Sequence, residues 1–370
     1  MTAGHYRYTV QLVRGLADIA GAQEFLLLGS RPEPVPELRG IFGNGSRWIY
    51  RQRPSWHHRG GIYIDEVAYL RCFLAEPISL LHVPHDFIPV MARCPVVITK
   101  HDLIEEVFPE YEARRRDPAY RAHRRRVEKR AARIICISQT TADDLERYWG
   151  IEAERSVVIH HGVENNFFTE PGDDLLRHYP VFQSAGPALV SPYNLEPRKN
   201  LATLVEALAF VRRDFPQLRL ALFGRALLSP EREAAFQRQV TQLQLEEAIV
   251  QLGVVSDEVL KQLYRRADIF VFPSLYEGFG LPVLEALACG GCVLGAASSA
   301  TAEVAGDAAE LVDASNPATL AAGLTNLLRQ PRRREELRSA GPARARQFPV
   351  EKMVRRTWET YLSILGPGRG

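Results

Sequence analysis

Short apolar runs rich in β-branched and aromatic residues recur along this 370-residue chain, with longer helix-patterned segments between them. The runs fall at 24–29, 96–99, 133–137, 157–160, 188–191, 218–223, 248–252 and 269–272, and helical patterns include 201–213, 231–245 and 257–267. A strand that is apolar on both sides must be covered on both sides, and a helix between successive strands supplies the cover. The alternation therefore selects parallel α/β architecture with right-handed crossovers. At about 100–200 residues per domain, the length predicts two such domains. The stretch 169–187 holds Glu170-Pro171-Gly172-Asp173-Asp174, Tyr179-Pro180 and Gly186-Pro187, and reads as the linker between them. This places one domain at 1–172 and the other at 187–349, and the Gly/Pro tail 366–370 is expected to fray.

Composition narrows the function classes. A net charge of +2 excludes a generic nucleic-acid binder, so no nucleic-acid partner is expected. No basic-then-apolar leader opens the chain, and no apolar stretch approaches the roughly 20 residues needed to cross a bilayer. Membrane contact would then be peripheral. Five cysteines, an odd number in a long chain, argue against a disulfide framework and for a reducing cytoplasm. Cys289 and Cys292 form a CxxC without a second soft pair nearby, so no metal site is expected, and both read as small buried apolar residues beside Gly290 and Gly291. Residues 4–17 resemble a first loop and helix with no strand ahead of them, which leads to the expectation that translation begins upstream of Met1.

One region stands apart in charge. Residues 111–133 carry ten cations against three anions, with Tyr120, Val127, Ala131 and Ile134 recurring at helical spacing. One face is expected to pack on the first domain. The opposite, basic face suits an anionic membrane or a lipid-diphosphate acceptor, and equally suits a solvated surface.

The chemistry concentrates in 272–286, Phe-Pro-Ser-Leu-Tyr-Glu-Gly-Phe-Gly-Leu-Pro-Val-Leu-Glu-Ala. A strand ends at Phe272, a Gly-containing loop follows, and a helix starts near Leu281 with Pro282 in its first turn. Such a switch lies at the carboxyl edge of a sheet, where α/β proteins bind ligands. Gly278 and Gly280 let the backbone approach a ligand closely, and the helix start favours phosphate. Glu277 before the helix and Glu285 within it can flank a ligand whose middle is anionic and whose ends carry hydroxyls, the layout of a nucleotide sugar.

A second stretch, Ser191-Pro192-Tyr193-Asn194-Leu195-Glu196-Pro197-Arg198-Lys199-Asn200-Leu201, puts two cations just ahead of a helix. Cations there are disfavoured unless an anion joins them. The planar fork of Arg198 and the point charge of Lys199 both suit diphosphate oxygens. In the first half, a strand runs into His101-Asp102-Leu103, followed by Phe108-Pro109-Glu110-Tyr111. A lone histidine is more often structural, but the end of a strand favours a site. His82 and His85 follow another strand-like run and are read as acceptor-side residues.

The pattern over 277–286 closely resembles the E-x7-E signature of retaining GT-B glycosyltransferases, glycosyltransferase family four in particular. The resemblance implies two Rossmann-like, doubly wound parallel-sheet α/β domains facing a central cleft. The first would be acceptor-side, with 350–370 packing back on it, and the second would bind the nucleotide sugar. It implies that Glu277 contacts the donor hexose and Glu285 the ribose. Gly278, Phe279, Gly280 and Leu281 would form the donor loop and helix start, and Val254 would meet the base through the backbone. Arg198 and Lys199 would stabilise the leaving diphosphate, and His101 would lie near the donor sugar. The elements at 4–9, 137–141, 161–163 and 303–309 extend the likeness over nearly the whole chain. Three positions depart from the pattern: Tyr193 stands for a Gly, Tyr6 for a second Gly, and His161 for an Asn.

The expected activity is metal-independent, cofactor-free transfer of a hexose, mannose first, from a nucleotide-diphosphate sugar to a saccharide or lipid-linked alcohol acceptor with retained configuration. The setting would be bacterial surface polysaccharide or lipopolysaccharide synthesis, in the cytoplasm or on the inner face of the membrane. Absence of any D-x-D triplet argues against the other main glycosyltransferase fold. Two alternatives stay open: nucleotide-sugar epimerisation on the same fold, and a catalytically weak nucleotide-binding subunit of an assembly complex.

Overall fold

The computed structural model describes residues 3–19, 21, 23–29, 32–42, 46–52, 77–84, 92–170, 172, 174–183, 185–225 and 230–366. The chain folds as two compact units, Met1–Gly162 with Val350–Gly370, and Val163–Pro349.

The first unit opens on the helix Ala3–Ile19. Gly4, His5 and Tyr6, read from the sequence as part of a Gly-containing loop, already lie in its first turns. Tyr in place of the second Gly removes one backbone breaker there. Strands β1 (Phe25–Gly29) and β2 (Trp48–Gln52) pair in parallel. Strands β3 (Leu81–Val83), β4 (Val96–Lys100), β5 (Ala131–Cys136) and β6 (Ser156–Val158) form a parallel sheet in that order. Every residue of β4 is buried, as its apolar run requires. The C-terminal helix Val350–Leu365 belongs to this unit, and its Met353, Val354 and Tyr361 pack with Tyr8, Leu12 and Leu16 of the first helix.

The basic region is not one helix. Helix Glu112–Arg116 stops, Asp117 caps the next helix by accepting from the Ala119 amide at 2.8 Å, and Pro118 opens helix Pro118–Arg130. Ala131 and Ile134, whose spacing looked helical, are buried strand residues of β5. Val127 is the buried anchor of the helix itself.

The second unit holds a six-stranded, all-parallel sheet ordered β12-β11-β10-β7-β8-β9. The strands are β7 (Ala188–Pro192), β8 (Arg219–Phe223), β9 (Ile249–Gly253), β10 (Ile269–Phe272), β11 (Val293–Ala296) and β12 (Glu310–Val312). The chain starts at the centre, winds outward through β8 and β9, crosses back to β10 beside β7, and winds outward the other way. This is the doubly wound Rossmann order, with its switch point between β7 and β10.

The stretch 169–187 is not a free linker. Leu176 and Val181 are buried, and the Leu175 amide donates to Gln262 Oε1 at 3.0 Å, so the segment is packed within the second unit. The break falls ahead of it, between Gly162 and Val163. Apolar residues scattered among its Pro, Gly and acidic residues give it something to bury.

Candidate active site at the sheet switch point

The loops that leave β7 and β10 stand side by side because those strands are neighbours. Each carries half of the constellation expected from the sequence. After β7, the 3-10 turn Pro197–Lys199 is followed by Asn200 at φ 60°, which starts helix Leu201–Val211. Asn is one of the few residues that tolerates this left-handed conformation. Its side chain donates to Pro273 O at 3.2 Å and Ala314 O at 2.7 Å, and accepts from Thr203 Oγ1 at 2.6 Å. Asn200 thereby ties the β7 loop to the loops after β10 and β12. The backbone adds a second tie, Leu275 N–H to Arg198 O at 2.7 Å.

Glu277 sits at the centre. Lys199 Nζ donates to its Oε1 at 2.6 Å and Ser274 Oγ to the same oxygen at 2.5 Å, while Arg198 Nη1 lies 3.3 Å from Oε2. Arg198 is further held by Glu196 Oε2 at 2.9 Å and Tyr276 O at 3.3 Å. Burial pushes the Glu277 carboxyl up, but the charges of Lys199 and Arg198 and the hydrogen bonds from Lys199 and Ser274 outweigh it. The group therefore ends below the usual carboxylate range and stays ionised at neutral pH.

The donor loop closes against the helix start. Gly280 has φ 96° and is the first cap of helix Leu281–Ala288, with no side chain capping it, so the first turn is presented by backbone alone. Phe279 is buried and meets Phe348 edge-on at 6.0 Å, and Gly278 is buried beside it. Glu285 lies one turn into the helix, buried, accepting from Tyr264 Oη at 3.3 Å. Val254 follows the last residue of β9 and is 76% exposed.

Tyr193 departs from the Gly of the pattern in a defined way. Its ring packs on Phe236 at 5.6 Å and its hydroxyl lies 2.7 Å from both carboxylate oxygens of Glu233. Burial, then the Glu233 carboxylate, raises the phenol above its ordinary range. The ring is thus spent on the face of helix Pro230–Gln242.

His101 stands in the first unit, immediately after β4. It lies between His5, ring centroids 4.0 Å apart, and His161 at 5.5 Å, with Tyr8 edge-on at 5.2 Å. Its Nε2 is 3.0 Å from Pro84 O, and a carbonyl only accepts, so Nε2 carries the proton. His161 is buried, and burial first, then the neighbouring histidine charges, push it well below the usual imidazole range. His82, read as an acceptor-side residue, is instead used inside the unit: its ring bonds to Tyr361 Oη and to Thr99 Oγ1 at 2.9 Å. His85 lies outside the described residues. Cys289 and Cys292 are buried free thiols pushed up to about 12 and about 11 by burial, in keeping with a structural role.

Sequence reasoning missed Ser274, the role of Asn200, the pair Ser298 and Ser299 behind Glu277, and the histidine stack. Only Asn200 left a signal, an Asn directly before a helix.

Fold and site together define a two-unit parallel α/β protein with a polar cluster at the switch point of the second sheet. Residues 3–167 match the family described as Glycosyltransferase Family 4, and residues 180–344 that described as Glycosyl transferases group 1. The chain belongs to the family 4, group 1 glycosyltransferases and has the GT-B fold. It is 29% identical over 284 residues to O-antigen chain mannosyltransferase B of Escherichia coli, spanning 76% of this chain and 74% of that one. It is 27% identical over 334 residues to a D-inositol 3-phosphate glycosyltransferase of Pseudarthrobacter chlorophenolicus, spanning 89% and 76%. HepE of Anabaena, solved with UDP and glucose, superposes with a TM-score of 0.77 at 21% identity over 97% of this chain and 96% of that one. No helix among the described residues is long and apolar enough to cross a membrane.

Proposed function

We propose that this glycosyltransferase moves a hexose, mannose as the first choice, from a nucleotide-diphosphate sugar to a saccharide or lipid-linked alcohol, with retention and without a required metal or cofactor. The observation that carries the reading is the Arg198–Glu277–Lys199 cluster beside the uncapped start of helix Leu281–Ala288. Two fixed cations and a helix start offer a diphosphate the charge stabilisation that its departure requires, while an ionised carboxylate offers a hexose hydroxyl an acceptor. On this reading the leaving diphosphate would also take the acceptor's proton on the same face, which would give retention without a covalent carboxylate intermediate. Glu285 serves the ribose and Val254 the base. The mannosyl choice draws on the E. coli relative, which is named an O-antigen chain mannosyltransferase. On the same reading the protein works on the cytoplasmic side of a bacterial membrane, its exposed basic helix face touching anionic lipid.

The test is a thermal-shift panel of UDP, GDP, ADP and dTDP with their common sugars, on wild type and Glu285→Ala. A ligand at 100 times its Kd adds about 2.7 kcal/mol. A shift with a guanosine ligand alone, lost in the variant, supports the mannosyl reading, and NMR of the product's anomeric coupling then tests retention. A shift confined to another nucleotide overturns the choice of mannose.

A further inference from the structure

Behind Glu277 stands a loop that the chemistry above does not use. It joins β11 to helix Ser299–Ala305 and carries two adjacent serines. Ser298 Oγ donates to Leu275 O at 3.0 Å. Ser299 Oγ accepts from the Glu277 backbone N–H at 3.1 Å. The pair holds the donor loop at two points, one on either side of Tyr276.

Ser299 makes its contact from an unusual backbone. Its φ is 56°, one of three positive-φ residues other than glycine among the described residues. An L-residue with a side chain is disfavoured there, and glycine would fit without penalty. Serine in that conformation is accounted for if its hydroxyl does something glycine cannot. The hydroxyl is the acceptor for the amide of Glu277 itself.

We infer that Ser299 is a positioning residue for the transfer reaction. It fixes the backbone at Glu277, so that the carboxylate is aimed by its own main chain as well as by Lys199, Arg198 and Ser274. Strain at φ 56° is tolerated because it sets the direction of the Oγ. The inference rests on the proposed role of Glu277 at the donor hexose.

Stability and activity are expected to move apart. In Ser299→Gly the strain is relieved and the acceptor is lost, so Tm holds or rises by up to about 2 °C. Turnover falls about 10- to 100-fold, in kcat with donor KM little changed, because a misaimed group costs the transition state rather than the ground state. Ser299→Ala loses the acceptor and keeps the strain, so kcat falls alike with no gain in Tm. The panel includes Glu277→Gln. Wild-type kcat in Ser299→Gly beside an inactive Glu277→Gln overturns this inference alone. A Tm that falls together with kcat in Ser299→Gly makes Ser299 a structural residue and overturns it too. Wild-type kcat in Glu277→Gln overturns the reading of Glu277 and takes the inference with it.

Discussion

Glu277 draws two cations and a hydroxyl onto one carboxylate, and each contact is short enough to matter on its own. Glu277→Gln keeps the shape and removes the charge. Transfer is expected to fall by about 10²–10³ with Tm within a few degrees of wild type. Lys199→Ala should lose as much activity and also stability, because it leaves a buried carboxylate with part of its pairing gone. A steady-state assay with a melting curve on each variant separates the two. The pH dependence follows from the direction of the Glu277 shift. Its carboxyl lies below the ordinary value, so its contribution to stability is full at neutral pH, begins to fall as pH drops through the unfolded value of about 4.3, and is lost below the folded one. His161 behaves differently although it is also shifted down. Held neutral in the fold, it takes up a proton more readily when unfolded, so stability declines as pH drops below about 6.5. His161→Asn, which restores the residue of the family pattern, should flatten the Tm difference between pH 7.5 and 5.5. An unchanged difference would assign the acid sensitivity elsewhere.

Elements read well where the strand is a sustained run of β-branched, aromatic or leucine residues, and poorly where it is short, polar at one end or built partly of small residues. All eight runs read from the sequence overlap a strand. Among the described residues four other strands stood outside those runs: β2, β11 and β12, and β3, read only as a strand-like run at His82. Trp48–Gln52 ends in Arg and Gln, Leu81–Val83 and Glu310–Val312 are three residues long, and Val293–Ala296 is four residues with Gly295 among them, so none shows a period. The loss of β11 hid the loop that supports Glu277. Glu277, Arg198 and Lys199 were legible because their charge at a strand-to-helix switch is itself the signal. Ser299 was not, because its role depends on a positive φ that serine does not advertise. Gly162 was quoted only as part of a motif, yet a Cβ there would meet Val350 backbone atoms at 2.4 and 2.5 Å, and backbone cannot swing away. Gly162→Ala should therefore cost about 1–3 kcal/mol by overpacking. Urea unfolding would read this as a lower midpoint with an unchanged slope.

At the scale of the whole molecule the small net charge conceals an asymmetry. The first unit carries 27 Lys and Arg against 22 Asp and Glu, the second 19 against 22. Part of the first unit's excess is concentrated on helix Pro118–Arg130, where Arg121, Arg125 and Lys129 recur every four residues on the exposed side opposite Val127. Arg124, on the flank, is turned inward, bonded to Glu128 at 3.0 Å and to Tyr148 O at 2.8 Å. A stripe of cations without apolar residues among them can adsorb to a charged bilayer but has nothing to insert into it. Binding should thus be electrostatic throughout, with each cation near the lipid worth about 1 kcal/mol and the whole screened over a Debye length of about 8 Å at physiological salt. In co-sedimentation the intact protein is expected to bind vesicles with anionic lipid at low salt, release them as salt rises, and ignore neutral vesicles. Replacing Arg121, Arg125 and Lys129 by Gln should abolish that binding while leaving transfer to a water-soluble acceptor unchanged, since none of the three is among the residues assigned to the transfer chemistry. Binding that resists salt, or persists in the triple variant, would require a different surface.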